Sequence, residues 1–352
     1  MMNKLRYILI LLMFFVTSGC YSYKEIHEVS FVISFGFDYI QHEKMYEVTA
    51  YIINNANLTQ VENQTSSEHN AYIGTAKGKT ISSAIEELNK NLDIILEFKH
   101  IKTVFITTNF INSNNLHYLY TFFRNGPLFY PNFEVYITPE NIKDIYKVQV
   151  FEETTIFYTL LTGEKKAHNY NVANFYDFIN DYVIPDYHIG YPMIEVNKSV
   201  FENQKDPHLT LENSGIIYLN NDGNYYILKY QEFPGLYLIN NFTDLLITLQ
   251  DLELIINNYL FSIELNTEYP EHIVDITIKS DVAYVFSDTI KDYEISTYTE
   301  KYFINEINKV FDYCYSIGID ILNINYLRNL KGLPTCDIKS YQFNWTIDVL
   351  HP

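Results

Sequence analysis

The sequence contains little cysteine, glycine or tryptophan, with 3, 12 and 1 of these residues among 352. Three cysteines do not make the disulfide framework that holds small secreted proteins together. So few glycines leave little material for phosphate-binding loops, and neither GxxxxGK[ST] nor GxGxxG occurs in the chain. These absences argue against a disulfide scaffold and against a nucleotide-binding protein.

Basic residues are scarce relative to acidic ones. The chain has 24 lysines and arginines against 43 aspartates and glutamates, a formal net charge of −19 and a pI near 4.8. Binding to nucleic acid requires a basic surface that neutralises phosphates, so this balance argues against a nucleic-acid partner. The hydrophobic content of 47% is that of a globular protein and not of a disordered chain.

Familiar catalytic motifs are missing as well. The chain has no GxSxG elbow and no HExxH motif, and its ten histidines are scattered without a pair at ligand spacing on one helix. Adjacent carboxylates such as Glu86 with Glu87 are expected by chance in so acidic a chain. We predict no catalytic residue, no metal and no cofactor. A zinc site built from distant histidines and a glycosidase-type carboxylate pair are the alternatives left open.

The first twenty residues carry the clearest signal in the chain. Lys4 and Arg6 precede an apolar run at 7–16, and small residues then lead to Gly19 and Cys20. This order is typical of a secretory signal peptide, and its ending resembles a bacterial lipobox. We therefore predict a lipoprotein signal peptide at residues 1–19, cleavage between Gly19 and Cys20, and lipid attachment at Cys20. An ordinary signal peptide cut nearby, with Cys20 incidental, is the alternative.

The predicted anchor is covalent lipid and not a membrane helix. The run at 7–16 is short of the about 20 apolar residues that span a bilayer, and no later segment reaches that length without charges. Cleavage removes Lys4 and Arg6 but no acid, which takes the net charge from −19 to −21. An anionic bilayer repels so acidic a protein, so at least two acyl chains on Cys20 would have to hold it there.

If Cys20 carries lipid, two cysteines remain. Export of the protein permits a disulfide between Cys314, on the apolar side of a predicted helix, and Cys336, in a predicted loop. Two cysteines in so long a chain do not by themselves indicate one. A bridge is left open, and two free thiols are the expectation we favour.

Apolar periodicity divides the chain before residue 139 into strands and helices. We predict strands at 29–35, 45–53, 100–107 and 133–138, and helices from Thr80 to 96 and at 116–123. Between them lie a turn at 36–44 and a polar loop at 54–70. The order ββαβαβ predicts an α/β sandwich with its helices on one face of a mixed sheet.

The rest of the chain alternates in the same way. We predict helices at 142–150, 152–161, 172–183, 234–246 and 298–315, and strands at 193–196, 215–219, 225–230, 251–256, 259–265, 272–279 and 341–350. The Asn-Asp-Gly at 221–223 predicts a hairpin between its flanking strands. The fold class is α+β, with three mixed α/β domains whose helices pack on mixed or antiparallel sheets. Their predicted bounds are 20–138, 139–208 (mainly helical, with a linking strand) and 209–352.

Several short motifs follow one another along this plan. They are GCYSYKEI at 19–26, ISFGFD at 33–38, AKGKTI at 76–81 and HIK at 100–102 (both within 76–106), Arg124, Gly215 with its hairpin, the helix 298–315, and Asp320-Ile321-Leu322. In this order they resemble the Ger(x)C family, the lipoprotein C subunits of bacterial spore germinant receptors. Within the first motif Tyr21 and Ser22 depart from the family's tryptophan and its acidic or amide residue.

The resemblance implies a three-domain lipoprotein on the outer face of the spore inner membrane. Its partners would be the integral-membrane A-type and B-type subunits of a germinant receptor. Its role in germination would be assembly or signalling and not catalysis, so we expect structural roles for Asp38, Gly78 and His100. A lipid-anchored solute-binding protein of a transporter is the main alternative, and a lipid-anchored hydrolase is another.

Overall fold

The protein is described by a computed structural model. It covers residues 29–54, 71–90, 95–112, 115–126, 133–148, 174–175, 177–178, 184, 187–202, 207–219, 224–240, 245–249, 252–265, 273–287 and 292–350. The predicted signal peptide, most of the predicted loop at 54–70, the helix at 152–161, the turn at 221–223 and most of the helix at 172–183 lie outside the described residues.

A nine-stranded mixed sheet, here called the large sheet, has its strands between Val29 and Lys229. Its strands are β1 (Val29–Ile40), β2 (Met45–Asn54), β3 (Ala71–Gly78), β4 (Ile95–Glu97), β5 (Thr103–Thr107), β6 (Glu134–Thr138), β7 (Ile189–Glu202), β8 (Pro207–Leu219) and β9 (Tyr225–Lys229). Their order is β3-β2-β1-β5-β6-β7-β8-β9, with β4 beside the start of β1. The central strands β1, β5, β6 and β7 are parallel, while β2–β3 and β8–β9 continue the sheet antiparallel on either side.

Short helices cover both faces of this sheet. Helices α1 (Ile81–Lys90), α2 (Thr108–Asn112) and α3 (Leu116–Asn125) share one core, and α4 (Ile142–Lys147) belongs to a second, smaller one. Strand β5 is buried throughout: Val104 and Ile106 belong to the first core and Phe105 to the second. A parallel strand covered on both faces has this continuous apolar run. Helices α1 to α3, within the unit predicted for 20–138, pack in one core, as the one-face prediction for that unit requires, and α4, which begins after residue 138, covers the other face.

A second sheet of four strands, the small sheet, lies between Leu245 and Leu350. Its strands are β10 (Leu245–Leu249), β11 (Leu252–Leu265), β12 (Ile273–Ser287) and β13 (Gln342–Leu350), antiparallel except for the parallel pair β12–β13. The chain passes from β12 to β13 through the long helix α6 (Asp292–Ser316), helix α7 (Ile324–Leu330) and a 3₁₀ turn at Ile338–Ser340. A parallel pair needs such a crossover.

One core joins the small sheet to the far edge of the large one. Phe303, Ile307 and Phe311 of α6 are buried in the same cluster as Ile216 of β8 and Leu228 of β9. Helix α5 (Gly235–Ile239), which follows β9, packs on α6. The α+β class is confirmed. The predicted domain bounds at 139 and 208 stay predictions; β7 and β8 pair across the second of them.

Four of the predicted elements were wrong in detail. The helix predicted to reach residue 96 ends at Lys90 as described, and Ile95–Glu97 is a strand beside β1. The helix predicted for 234–246 stops at Ile239, and β10 begins at Leu245. The two strands predicted within 251–265 are a single strand with a bulge between Ile256 and Asn258. Short apolar runs fit a helix or a strand equally well, and pairing with a neighbour decides between them.

Strand β3 was not predicted at all. Its sequence, AYIGTAKG, has two glycines and little apolar periodicity. It is held by eight register pairs with β2 and by α1, whose Leu88 lies near Gly74.

None of the helices that the structure describes combines the length and the hydrophobicity of a membrane-spanning segment.

Candidate functional site at the Asp320 cluster

The predicted lipid site lies before the described chain. Gly19 and Cys20 precede Val29, where the described residues begin, so cleavage and lipid attachment stay predictions. The structure does place the other motif residues, and each of them can be examined for a chemical role.

The motif at 33–38 brings α4 and α2 onto β1. A Cβ on Gly36 would lie 2.2 Å from Cγ2 of Ile142, so only glycine lets α4 approach this closely. The Asp38 carboxylate accepts hydrogen bonds from the Tyr39 backbone N–H (2.8 Å) and from the hydroxyl of Thr107, the last residue of β5. The same Thr107 oxygen accepts from the Phe110 N–H at the start of α2. These contacts hold a helix at the end of two parallel strands.

The motif at 76–81 forms the start of α1. A Cβ on Gly78 would lie 2.4 Å from the backbone N of Ala84, so glycine lets the strand pass the helix. Thr80 caps the helix as predicted: the Ser83 N–H donates to Thr80 Oγ1 (3.1 Å), and the Thr80 N–H donates to Ser83 Oγ (3.0 Å). This reciprocal pair is a capping box with serine at its third position.

Two further motif residues also make local contacts. The His100 ring packs edge-on against Phe31 of β1, with centroids 4.5 Å apart. Arg124 donates to the hydroxyl of Tyr120, one turn earlier on α3, at 3.0 Å. The contacts of the motif residues named so far are thus structural: His100 joins neighbouring elements, whereas the contact of Arg124 stays within α3.

The last motif leads to a different kind of arrangement. Asp320 lies in the turn between α6 and α7 and is only 1% exposed. Together with His188, Asn323 and Asn325 it forms a group of polar side chains that we call the Asp320 cluster. His188 immediately precedes β7, so the cluster joins the large sheet to the turn after α6.

Three hydrogen bonds converge on His188. The Asn323 side chain accepts from the His188 N–H (2.7 Å) and donates to its carbonyl (3.2 Å), in the manner of a neighbouring strand. The backbone N–H of Asp320 donates to Nδ1 of the imidazole at 3.0 Å. Asn323 holds a left-handed backbone with φ 52°, which asparagine tolerates better than most residues.

The Asp320 carboxyl organises the start of α7. Oδ2 accepts from the backbone N–H of Asn325 at 2.8 Å, while Oδ1 is buried without a hydrogen-bond partner among the described residues. Burial raises the pKa of this carboxyl; the N–H groups of Asn325 and Ile324 and the nearby His188 oppose the shift. An unpaired buried oxygen costs free energy, and the neutral form of the carboxyl reduces that cost.

Asn325 extends the cluster to the loop before β13. Its side chain accepts from the Cys336 N–H (3.0 Å) and donates to the Cys336 carbonyl (3.1 Å). The Nε–H of the buried Arg328 donates to the Pro334 carbonyl at 2.9 Å. Two asparagines thus each clamp one backbone residue, His188 on one side and Cys336 on the other.

The cysteines beside the cluster are free. Cys314, on α6, is fully buried, and burial raises the pKa of its thiol to about 12, so it is a neutral thiol and a poor nucleophile. Cys336 is partly exposed and also free. Among the residues that the structure describes, no three histidine, cysteine or carboxylate side chains are placed to hold a metal. Asp320 is buried, whereas His188, Asn323 and Asn325 are partly exposed, and the hydrogen bonds of the cluster position backbone.

Sequence reasoning found Asp320 only through the family motif. It singled out neither His188, 132 residues away from Asp320, nor the two asparagines. The sequence ILNIN at 321–325 gives no local signal of the contact with His188, because that contact depends on where β7 begins in the fold.

Comparisons with known proteins bear on the chain as a whole. The sequence model of a family described as the spore germination protein N-terminal domain matches residues 22–196. A crystal structure described as that of the GerBC protein is 13% identical, covers 90% of this chain and 96% of its own, and superposes with a TM-score of 0.48. No curated protein matches the sequence.

Proposed function

Because this chain belongs to the Ger(x)C family of spore germination proteins, we propose that it is the lipoprotein C subunit of a germinant receptor. The observation that carries the proposal is the family match over residues 22–196, which starts two residues after the predicted lipid site at Cys20. A family domain whose match begins beside a lipidated cysteine is the layout of a protein tethered at a membrane surface.

The proposed role is non-catalytic. The protein would lie on the outer face of the spore inner membrane, held by the acyl chains on Cys20, and would assemble with the integral-membrane A-type and B-type subunits. Its motif residues support this role, because those in described segments position helices and backbone and line no reaction site. Its contribution to the response to nutrient germinants would be assembly or signalling through its folded surface.

Co-purification from spore membranes tests the proposal. A tagged full-length copy is solubilised in detergent beside two variants, Cys20→Ala and the matched Cys336→Ala, which removes a different, partly exposed cysteine. We expect two membrane subunits to accompany the parent and the Cys336→Ala protein, and to be lost with Cys20→Ala. Recovery of a permease with its ATPase, or of no membrane partner, would contradict the receptor assignment.

A solute-binding lipoprotein is the alternative carried over from the sequence. Such proteins have two similar lobes of parallel βα units about a hinge, whereas the described residues form one mixed sheet of nine strands and one of four. A thermal-shift panel separates the two, because a binding protein is stabilised by RT ln(1 + [L]/Kd) when its solute is added. We expect no single small solute to raise the melting temperature of the isolated subunit.

A further inference from the structure

One end of the large sheet lies next to the predicted anchor. β1 begins at Val29, nine residues after Cys20. Beside its first residues run the end of β2, the start of β3 and all of β4, with Val29 opposite Ile95, Phe31 opposite Ile53 and Ile52 opposite Tyr72. This edge of the sheet, from β3 to β5, is about 15 Å wide at a strand spacing of about 4.8 Å.

Apolar side chains are exposed along this edge. Tyr72 is 54% exposed, Ile95 45% and Ile73 38%, and all three lie at the level of residues 29–34 of β1. Single exposed apolar residues are ordinary, but here three lie at the same end of one group of neighbouring strands, which makes that end a candidate surface. We call the three residues the anchor-side edge.

The charges beside this edge suit an anionic surface better than the chain as a whole does. Exposed Lys99, His100 and Lys102 lie in the turn between β4 and β5. Among described residues at this level they face two carboxylates: Glu97, 4.0 Å from Lys99, and Glu134, which accepts from the Tyr136 hydroxyl. The lysines balance these acids, whereas the full chain carries −19. These four described side chains therefore carry no net charge for an anionic bilayer to repel.

The length of the tether limits how far the start of β1 can lie from the bilayer. Nine residues extend to at most about 30 Å. The tether therefore keeps the start of β1 near the bilayer, whereas it sets no such limit on the other end of β1, about 36 Å away at about 3.3 Å per residue. With Cys20 inserted, the edge that carries Tyr72 and Ile95 is the part of the sheet that the tether ties to the bilayer.

We propose that the anchor-side edge rests in the headgroup region of the membrane that holds the lipidated Cys20, so that the large sheet stands on the bilayer with β1 running away from it. The proposal rests on the lipid anchor proposed above. Tyrosine suits this position, since its ring is apolar and its hydroxyl remains hydrated. The occupant of the edge is thus a lipid surface, and the orientation presents the small sheet or the far end of the large sheet to protein partners.

Tryptophan fluorescence in vesicles tests the orientation. The single tryptophan is replaced by Trp345→Phe, and in this background Tyr72→Trp is compared with Tyr118→Trp, since Tyr118 is equally exposed at 58%. Tyr118 packs on Tyr46, which pairs with Tyr39, so it lies about 23 Å farther along the strands than Tyr72. Ile95→Trp is a second reporter on the anchor-side edge.

The lipidated full-length protein is reconstituted into vesicles of phosphatidylcholine and phosphatidylglycerol that carry a nitroxide on the headgroup. We expect Tyr72→Trp and Ile95→Trp to lose most of their emission and shift to the blue, and Tyr118→Trp to keep both its intensity and its position. Equal quenching at the two tyrosine positions, or none at Tyr72 in protein that floats with the vesicles, would overturn the orientation. Flotation that is equal for the parent and for Cys20→Ala would instead overturn the anchor, and the orientation with it.

Discussion

Two kinds of contact hold α6 and its following turn against the part of the chain from His188 to α5, and they work in opposite ways. At Gly235 the backbone of α5 lies directly on α6, where a Cβ would be 2.3 Å from the Glu306 carbonyl oxygen. At the Asp320 cluster the contact is made by side chains that hydrogen-bond to the backbone of His188 and Cys336. The first contact excludes side chains; the second consists of them.

This difference predicts different sensitivities. A steric contact tolerates no added atom and does not depend on pH. A polar contact tolerates changes of shape but requires each buried donor and acceptor to keep its partner, and one of its members is a buried carboxyl with a raised pKa. Variants at steric and at polar contacts should therefore differ in how much unfolding free energy they lose, in whether a second substitution restores it, and in how the loss depends on pH.

Gly235→Ala should have the largest effect. The new methyl meets the Glu306 carbonyl and the Ile307 N–H, both backbone, and no side-chain movement can make room for it. We expect a loss of about 3 kcal/mol or more in the free energy of unfolding. Urea denaturation measures it.

Gly332→Ala is the matched control for this variant. Gly332 has φ 70° and no atom near its missing Cβ, so alanine there adds only backbone strain. Its cost should be about 1 kcal/mol. Equal losses for the two variants would show that the contact at Gly235 is not the cause.

Gly36→Ala should cost less and should be rescued. Its Cβ meets only side-chain atoms, those of Ile142 at 2.2 Å and beyond. We expect a loss of about 1–3 kcal/mol, typical of overpacking. In the double variant Gly36→Ala/Ile142→Ala the two effects should fall short of additivity, since the removed isoleucine leaves room for the methyl. Strict additivity in a double-mutant cycle would argue against this contact.

Much of the fold, but little of this site, could be predicted from the sequence. Residues 100–107 predicted a strand because a central parallel strand is apolar throughout, and β5 lies within them. β3 and β4 were missed because one is rich in glycine and the other has three residues, so their neighbours β2 and β1 determine them. The asparagines at 323 and 325 look like ordinary loop residues. Their role depends on which backbone the fold brings beside them, and no local pattern records that.

Asn323→Ala tests the polar contact. It removes both hydrogen bonds to His188 and places a Cβ-bearing residue without a polar side chain at φ 52°. We expect a loss of about 2 kcal/mol, of which Asn323→Gly should recover only the backbone part. If Asn323→Gly restores the parent's unfolding free energy, the hydrogen bonds contribute nothing and the clamp on His188 is incidental.

Asp320→Asn should show the smallest effect and the one that depends on pH. Burial raises the pKa of this carboxyl, so the folded protein binds its proton more tightly than the unfolded chain, where the pKa is about 3.9. The stability that this proton confers is complete below about pH 3.9 and is lost as the pH rises through the folded-state pKa. Asparagine keeps the acceptor for the Asn325 N–H but does not ionise. We therefore expect the unfolding free energy of the parent, minus that of Asp320→Asn, to fall as the pH rises above about 4. Taking the difference cancels the titration of the other carboxyls, including Glu134, whose pKa burial also raises.

A difference that stays constant with pH would mean that Asp320 keeps its proton, or its charge, equally in both states. In that case the polar contact would be as insensitive to pH as the steric one.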